Sequence, residues 1–151
     1  MKTISKFIFI FLLVLNYGCS NDSIACFTPP EDFSFELIDK TTGENLFTYG
    51  TYKSSDITIK DLNDSSKNIE YNFISENNYN VIRIGSIGWK TETINYSVNI
   101  ARKSIFEFHV QANRISGKCS YTEFKDFQIK NATFQLDQTR GVYKILVDTK
   151  I

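Results

Sequence analysis

The sequence predicts an all-β protein, an antiparallel β-sandwich, with a small β-barrel as the alternative. Three observations lead there. Short runs of alternating apolar and polar residues recur from Phe33 to Val147, and no stretch keeps an apolar stripe at helical spacing. The chain carries 13 Phe and 8 Tyr, side chains that suit a pleated, half-buried surface. It has only 2 Pro and scattered charges, a composition that folds rather than remaining a disordered tail.

The runs follow in order. Pro29 and Pro30 end a polar N-terminal stretch, and residues 33–37 then alternate as a half-buried strand does. Asp39 to Gly43 forms a turn, after which Leu46 and Phe47 resume the apolar pattern. Residues 56–60 place Ile57 and Ile59 on one face; residues 69–75 do the same with Ile69, Tyr71 and Phe73. A turn at Glu76 to Asn78 leads into residues 79–84, and Gly85 to Trp89 breaks the alternation. Residues 93–100 make the clearest strand, because Ile94, Tyr96, Val98 and Ile100 alternate with polar neighbours. Residues 104–112 follow with Phe106, Phe108 and Val110 on one face, then 119–130 with weaker alternation, 132–136, and 142–147. The total is about eight to ten short strands, the spacing of a sandwich or barrel.

Asp39, Thr42, Gly43 and Leu46 match a hairpin motif of an aspartate, then Thr-Gly, then an apolar residue. Residues 37–46 thereby resemble the opening hairpin of transthyretin-like and carboxypeptidase-regulatory-like domains, although the flanking glycine and alanine positions of that motif are not matched. The resemblance implies a transthyretin-like or immunoglobulin-like sandwich.

The N-terminus has a different character. Lys2 and Lys6 precede nine consecutive apolar residues, Phe7 to Leu15, and the segment ends in Gly18-Cys19. That order is a signal peptide, since the apolar run is about half of the ~20 residues that a membrane-spanning helix needs. Asn16-Tyr17-Gly18-Cys19 resembles a bacterial lipobox, with Asn16 standing where that motif has a leucine-like residue. The resemblance implies cleavage before Cys19 and a lipid thioether on its sulfur. The composition, rich in Asn, Lys, Ile, Phe and Tyr, is similar to that of small lipoproteins of Bacteroidota. The implied location is the cell envelope, with the chain lipid-anchored to the outer membrane on its periplasmic or surface face.

Three domain segments result: a signal peptide over 1–18, a lipidated N-terminus and polar leash over 19–32, and one β domain over 33–151. Removal of the first 18 of 151 residues leaves 133, enough for a single core. The chain has three cysteines, and lipidation of Cys19 leaves Cys26 and Cys119 as a pair. In an oxidising compartment these two are expected to form a disulfide. Its loop of about 93 residues corresponds to roughly 4–5 kcal/mol in the chain-entropy description.

Charge and motifs bound the function. The precursor has 17 basic and 17 acidic residues, and without Lys2 and Lys6 the balance is 15 to 17. No basic cluster with interleaved aromatics points to nucleic acid. His109 is the sole histidine, and HExxH and CxxC patterns are absent, so no metal or cofactor is expected. His109 falls on the face opposite Phe106, Phe108 and Val110, which reads as a solvated strand residue rather than a general base. Ser86 lacks the strand-to-helix context of a nucleophile elbow, and the carboxylate pairs Glu31-Asp32 and Glu123 with Asp126 read as solvated surface.

The lone Trp89, beside Gly88 and near Tyr79 and Tyr96 in sequence, is the candidate ligand-binding residue; its alternative role is to cap the core. The expected function is therefore that of a non-enzymatic binding or structural module, attached to a membrane through its N-terminal lipid. Its ligand would be a protein or a glycan. A periplasmic inhibitor or immunity-type lipoprotein that binds a partner protein is the alternative.

Overall fold

The computed structural model describes residues 26–64, 67–77 and 79–149. The expected signal peptide, Cys19 and the first half of the leash, through residue 25, lie outside the described residues. Among those described, ten strands occur in chain order. They are β1 (Cys26–Phe27), β2 (Phe33–Asp39), β3 (Ile57–Asp61), β4 (Asn72–Glu76), β5 (Tyr79–Ile84), β6 (Glu92–Ile100), β7 (Lys103–Ile115), β8 (Cys119–Lys130), β9 (Thr133–Asp137) and β10 (Val142–Val147). One short 3-10 turn, Ser54–Asp56, precedes β3.

These strands form two five-stranded sheets, ordered β1-β8-β7-β6-β3 and β4-β5-β2-β10-β9. The all-β sandwich expected from the alternation is present. Most neighbours are antiparallel, but β1 pairs with β8 and β2 pairs with β10 in parallel. Both parallel pairs join segments far apart in the chain, where no tight hairpin dictates direction.

The core is aromatic where the sheets meet. Phe35 lies 5.0 Å from Phe106 and 5.1 Å from Phe108 between ring centroids. Phe33 meets Phe124 edge-on at 5.1 Å and stacks on Phe127 at 5.7 Å. Such pairs contribute about 0.5–1.5 kcal/mol each beyond the area they bury.

Several expectations are corrected. Residues 33–37 alternate in sequence, yet every residue of β2 is buried, including Ser34 and Glu36. The outer face of β2 is covered by side chains from elsewhere: Arg140 donates to Glu36 at 3.1 Å, and Asn45 donates to it at 3.4 Å. Leu46 and Phe47 do not start a second long strand. Leu46 N–H bonds to Leu37 O at 2.9 Å, and the chain then turns away because β2 already has β5 and β10 as neighbours.

The strand expected over 69–75 begins only at Asn72. Ile69 belongs to the crossing between sheets, with its N–H bonded to Ile59 O at 2.9 Å. By contrast β8 is a full 12-residue strand despite its weak alternation. A register shift opposite His109 to Gln111 accompanies Asp126, whose φ of 51° marks the irregularity.

Candidate functional site

Cys26 and Cys119 are joined by a disulfide, as expected from the cysteine count, across a sequence separation of 93. They are also register partners in the β1–β8 pair, and Phe27 lies beside Ser120. Thr28 N–H bonds to Ser120 O at 3.0 Å, after which Pro29 and Pro30, which lack backbone donors, end the pairing. The described chain thus begins at the hairpin end where β7 turns into β8.

The loop between β5 and β6 is pressed against that same end. Gly88 has φ +88°, and a Cβ there would lie 2.9 Å from both Phe124 Cζ and Thr122 Cγ2, so only glycine fits without displacement. Thr122 Oγ1 donates to Gly88 O at 2.6 Å, and Gly88 N–H donates to Glu92 Oε1 at 3.0 Å. Ile87 plugs the loop into the core. The backbone on either side of Trp89 is therefore fixed.

Trp89 is 53% exposed, so it does not cap the core. Its Nε1–H donates to Gly85 O at 2.8 Å within its own loop, which leaves the ring as its outward surface. The ring stacks with Phe27 at 6.0 Å, whereas Tyr79 and Tyr96 lie elsewhere. Tyr79 sits under the Arg140 guanidinium, and Tyr96 packs edge-on against Phe108. Phe27 is 58% exposed and carries the Arg114 guanidinium 5.2 Å above its ring. Arg114 Nη1 donates to Thr28 O and to Thr122 Oγ1, both at 3.0 Å.

Strand register sorts these residues by face. Phe27, Ser120, Thr122 and Arg114 share one face of the sheet, because register partners point the same way and alternate residues point apart. Cys119 and the exposed Tyr121 occupy the other face at the same end. The result is a rigid aromatic and cationic end. It can hold an apolar or anionic partner by contact, and no nucleophile and base are joined in it.

The other sequence candidates fall elsewhere. His109 is half-buried, and its Nδ1 lies 2.7 Å from Asn95 Oδ1. Ser86 is exposed on the Trp89 loop. Asp32 pairs with Arg83 at 3.8 Å, and Glu123 with Lys125 at 3.0 Å. Among the described residues no group of three or more His, Cys, Asp or Glu side chains is placed to hold a metal ion.

A second polar cluster lies over the outer face of β2. A cleft of about 480 Å³ is lined by Glu36, Asp39, Asn45, Arg140 and Lys144, among others. Arg140 joins Glu36 at 3.1 Å and Asp137 at 2.9 Å, while Lys144 lies 3.3 Å from Asp137. Asn45 donates to Asn80 O at 2.9 Å, and Asn80 donates to Thr48 Oγ1 at 2.7 Å. These groups satisfy one another, and the network reads as support for the 40–52 segment.

Phe27, Gly88, Arg114 and Tyr121 were not singled out in the sequence, although one signal was there. A Cys26–Cys119 bridge brings the surroundings of each cysteine together, and Phe27 directly follows Cys26 while Tyr121 lies two residues after Cys119. Arg114 and Gly88 carried no comparable local mark. Comparison of the chain with protein-family models, curated proteins and solved structures found no match.

Proposed function

We propose that this protein is a lipid-anchored module of a bacterial cell envelope that binds a partner and catalyses no reaction. The observation that carries the reading concerns cysteine. Of three cysteines, Cys26 and Cys119 are joined to each other, and the third is Cys19, directly after Gly18 in the lipobox-like segment. A disulfide fits an oxidising compartment, and the Lys2 to Leu15 signal-peptide pattern fits export to one. Under this reading residues 1–18 are removed, Cys19 carries the lipid, and the strand domain hangs from a short spacer.

The surface that serves binding in this reading is the Phe27–Trp89–Arg114 end. Rigid aromatic rings lose little conformational entropy on contact, and this loop is already held by Gly88, Thr122 and Glu92. A specific observation also favours the second reading, a periplasmic inhibitor or immunity-type protein. β9 is an edge strand whose Phe134 and Leu136 are exposed, which is a surface that a partner protein could cover. Co-purification with one defined protein, lost in a Phe134→Ser/Leu136→Ser variant, would favour that reading over the first.

The anchor is tested by Cys19→Ala in the native host. The expected outcome is loss of the acyl mass increment and release of the protein from the membrane fraction. A variant that stays equally membrane-bound would sink the lipid-anchor reading.

A further inference from the structure

We infer that the end of the sandwich bearing Phe27 and Trp89 docks on the lipid–water interface of the membrane that holds the anchor. The rings would lie among the headgroups, and the flanking cations would meet lipid phosphates. The inference rests on the reading of Cys19 as the lipid-bearing residue, and it names the partner of the aromatic end described above.

Tether length brings the two together. Six residues separate Cys19 from Cys26, and a chain of that length reaches at most about 25 Å, whatever its conformation. Cys26 is bonded to Cys119, so the tether joins the domain at the β7–β8 hairpin end and nowhere else. Any lipid on Cys19 therefore holds this end, of all the surfaces of the domain, nearest the bilayer.

The chemistry of that end suits an interface. Phe27, Trp89 and Tyr121 are 58%, 53% and 46% exposed, with Phe27 and Tyr121 on opposite faces of one sheet. Rings on both faces of an end fit end-on contact with a broad surface better than they fit a single narrow ligand. Tryptophan and tyrosine concentrate at the level of lipid headgroups, because an apolar ring with a polar edge matches that layer. Here the Trp89 N–H already bonds to Gly85 O, so the indole enters a less hydrated layer without leaving a donor unpaired.

Charge points the same way. Lys90 follows Trp89, Lys118 sits in the β7–β8 turn beside Cys119, and Arg114 lies over Phe27. Of the acidic groups beside the loop, Glu92 at the start of β6 is held by Gly88 N–H and by Lys90 at 3.8 Å, and Asp32, next to Gly85, is paired with Arg83 at 3.8 Å. Glu123 is paired with Lys125 at 3.0 Å. Arg114 Nη1 makes both of its bonds, so a phosphate oxygen would be met by the rest of the guanidinium. A glycan platform would instead need hydrogen-bonding groups around the indole. Neither the cleft over β2 nor the cleft of about 670 Å³ that Gly85 and Ser86 line together with Ile69, Glu70, Tyr71 and Asn72 is lined by Phe27 or Trp89.

Trp89 is the single tryptophan of the chain and reports on its own surroundings. The test uses the full lipidated protein in vesicles of phosphatidylethanolamine and phosphatidylglycerol, with the unlipidated chain beginning at Ser20 as the aqueous reference. The expected result is a blue-shifted Trp89 emission, strong quenching by bromine-labelled lipid, and acrylamide quenching reduced severalfold relative to the reference. Lys90→Glu combined with Lys118→Glu, both exposed positions, should lower the bromolipid quenching severalfold while the protein still sediments with the vesicles.

Lipidated protein that sediments with vesicles, yet leaves Trp89 as open to acrylamide as in the reference and unquenched by bromolipid, overturns the docking and leaves the anchor intact. A Trp89 that is open in vesicles and becomes shielded on addition of peptidoglycan fragments overturns it in favour of a glycan. Absence of an acyl group on Cys19 in the exported protein overturns the anchor reading, and the docking with it.

Discussion

Gly88 lies so close to the Phe124 ring that a Cβ in its place would stand 2.9 Å from Phe124 Cζ, with φ at +88°. Two penalties therefore coincide at one residue, a backbone conformation that L side chains rarely adopt and a clash with a ring packed on Phe33. Gly88→Ala should cost about 2–4 kcal/mol and lower the thermal midpoint by roughly 5–10 °C. It should also shift the Trp89 emission, because the loop must move to relieve the contact. An unchanged midpoint and spectrum would show that the loop is not wedged against β8.

Removal of the Cys26–Cys119 bridge, by reduction or by Cys26→Ser/Cys119→Ser, should destabilise the domain by about 2–5 kcal/mol. Among the described residues β1 has two residues of pairing and β8 as its one neighbour in the sheet, so the bond carries much of its attachment. Phe27 should then leave the Trp89 ring, and the emission of Trp89 should change before the global transition. Thermal unfolding followed with and without a reductant checks both effects; coincident curves would contradict them.

Glu36 is buried and takes hydrogen bonds from Arg140 and Asn45, so Arg140→Ala should leave its carboxylate under-satisfied. The expected cost is about 1–3 kcal/mol in urea denaturation near neutral pH. A midpoint within error of the unsubstituted protein would mean that water takes over the role of Arg140.

Asp137 adds a pH signature to the same variant. The Arg140 hydrogen bond holds its carboxyl below the ordinary 3.8, against the opposing effect of desolvation and with further help from Lys144. A depressed folded value gives stability that is present above the unfolded value and is lost as pH falls through the folded one. Denaturation midpoints measured from about pH 6 to about pH 2 should therefore fall at the acid end, and Arg140→Ala should flatten that limb. An acid limb of equal slope in the variant would remove Arg140 as the cause.

Tyr96 has its hydroxyl pushed up to about 12, first by burial and then by the charges of Glu92 and Asp61. The folded state thus holds this proton more tightly than the unfolded chain does. The associated stability is full below the ordinary value of 10.0 and is lost as pH rises through about 12. Ultraviolet titration of the tyrosines should end in one late component, and Tyr96→Phe should abolish it. Persistence of that component would assign it to another buried tyrosine.

Local sterics made much of the architecture legible. In β6, Ile94, Tyr96, Val98 and Ile100 alternate with polar residues, and a period of two places them on one face whatever the partner strand. The same rule located β7. It failed at Leu46 and Phe47, which are apolar as a strand would be but find both sides of β2 already occupied. It also failed at Glu36, whose burial depends on Arg140 from 104 positions later in the chain.

The candidate site divides along the same line. Residue order alone carried the all-β class, the expectation that Cys26 pairs with Cys119 once Cys19 is assigned to lipid, and the interest of Trp89, because alternation, cysteine count and a lone indole need no tertiary contact to be read. The folded contacts were needed to learn that Trp89 faces solvent, that Phe27 rather than Tyr79 or Tyr96 stacks on it, and that Arg114 covers Phe27. Those contacts join β1, the β5–β6 loop and β7, three segments brought together by strand register, a disulfide and the absence of a side chain at Gly88. Proximity of that kind is a property of the folded chain as a whole, since no spacing within any one segment encodes it.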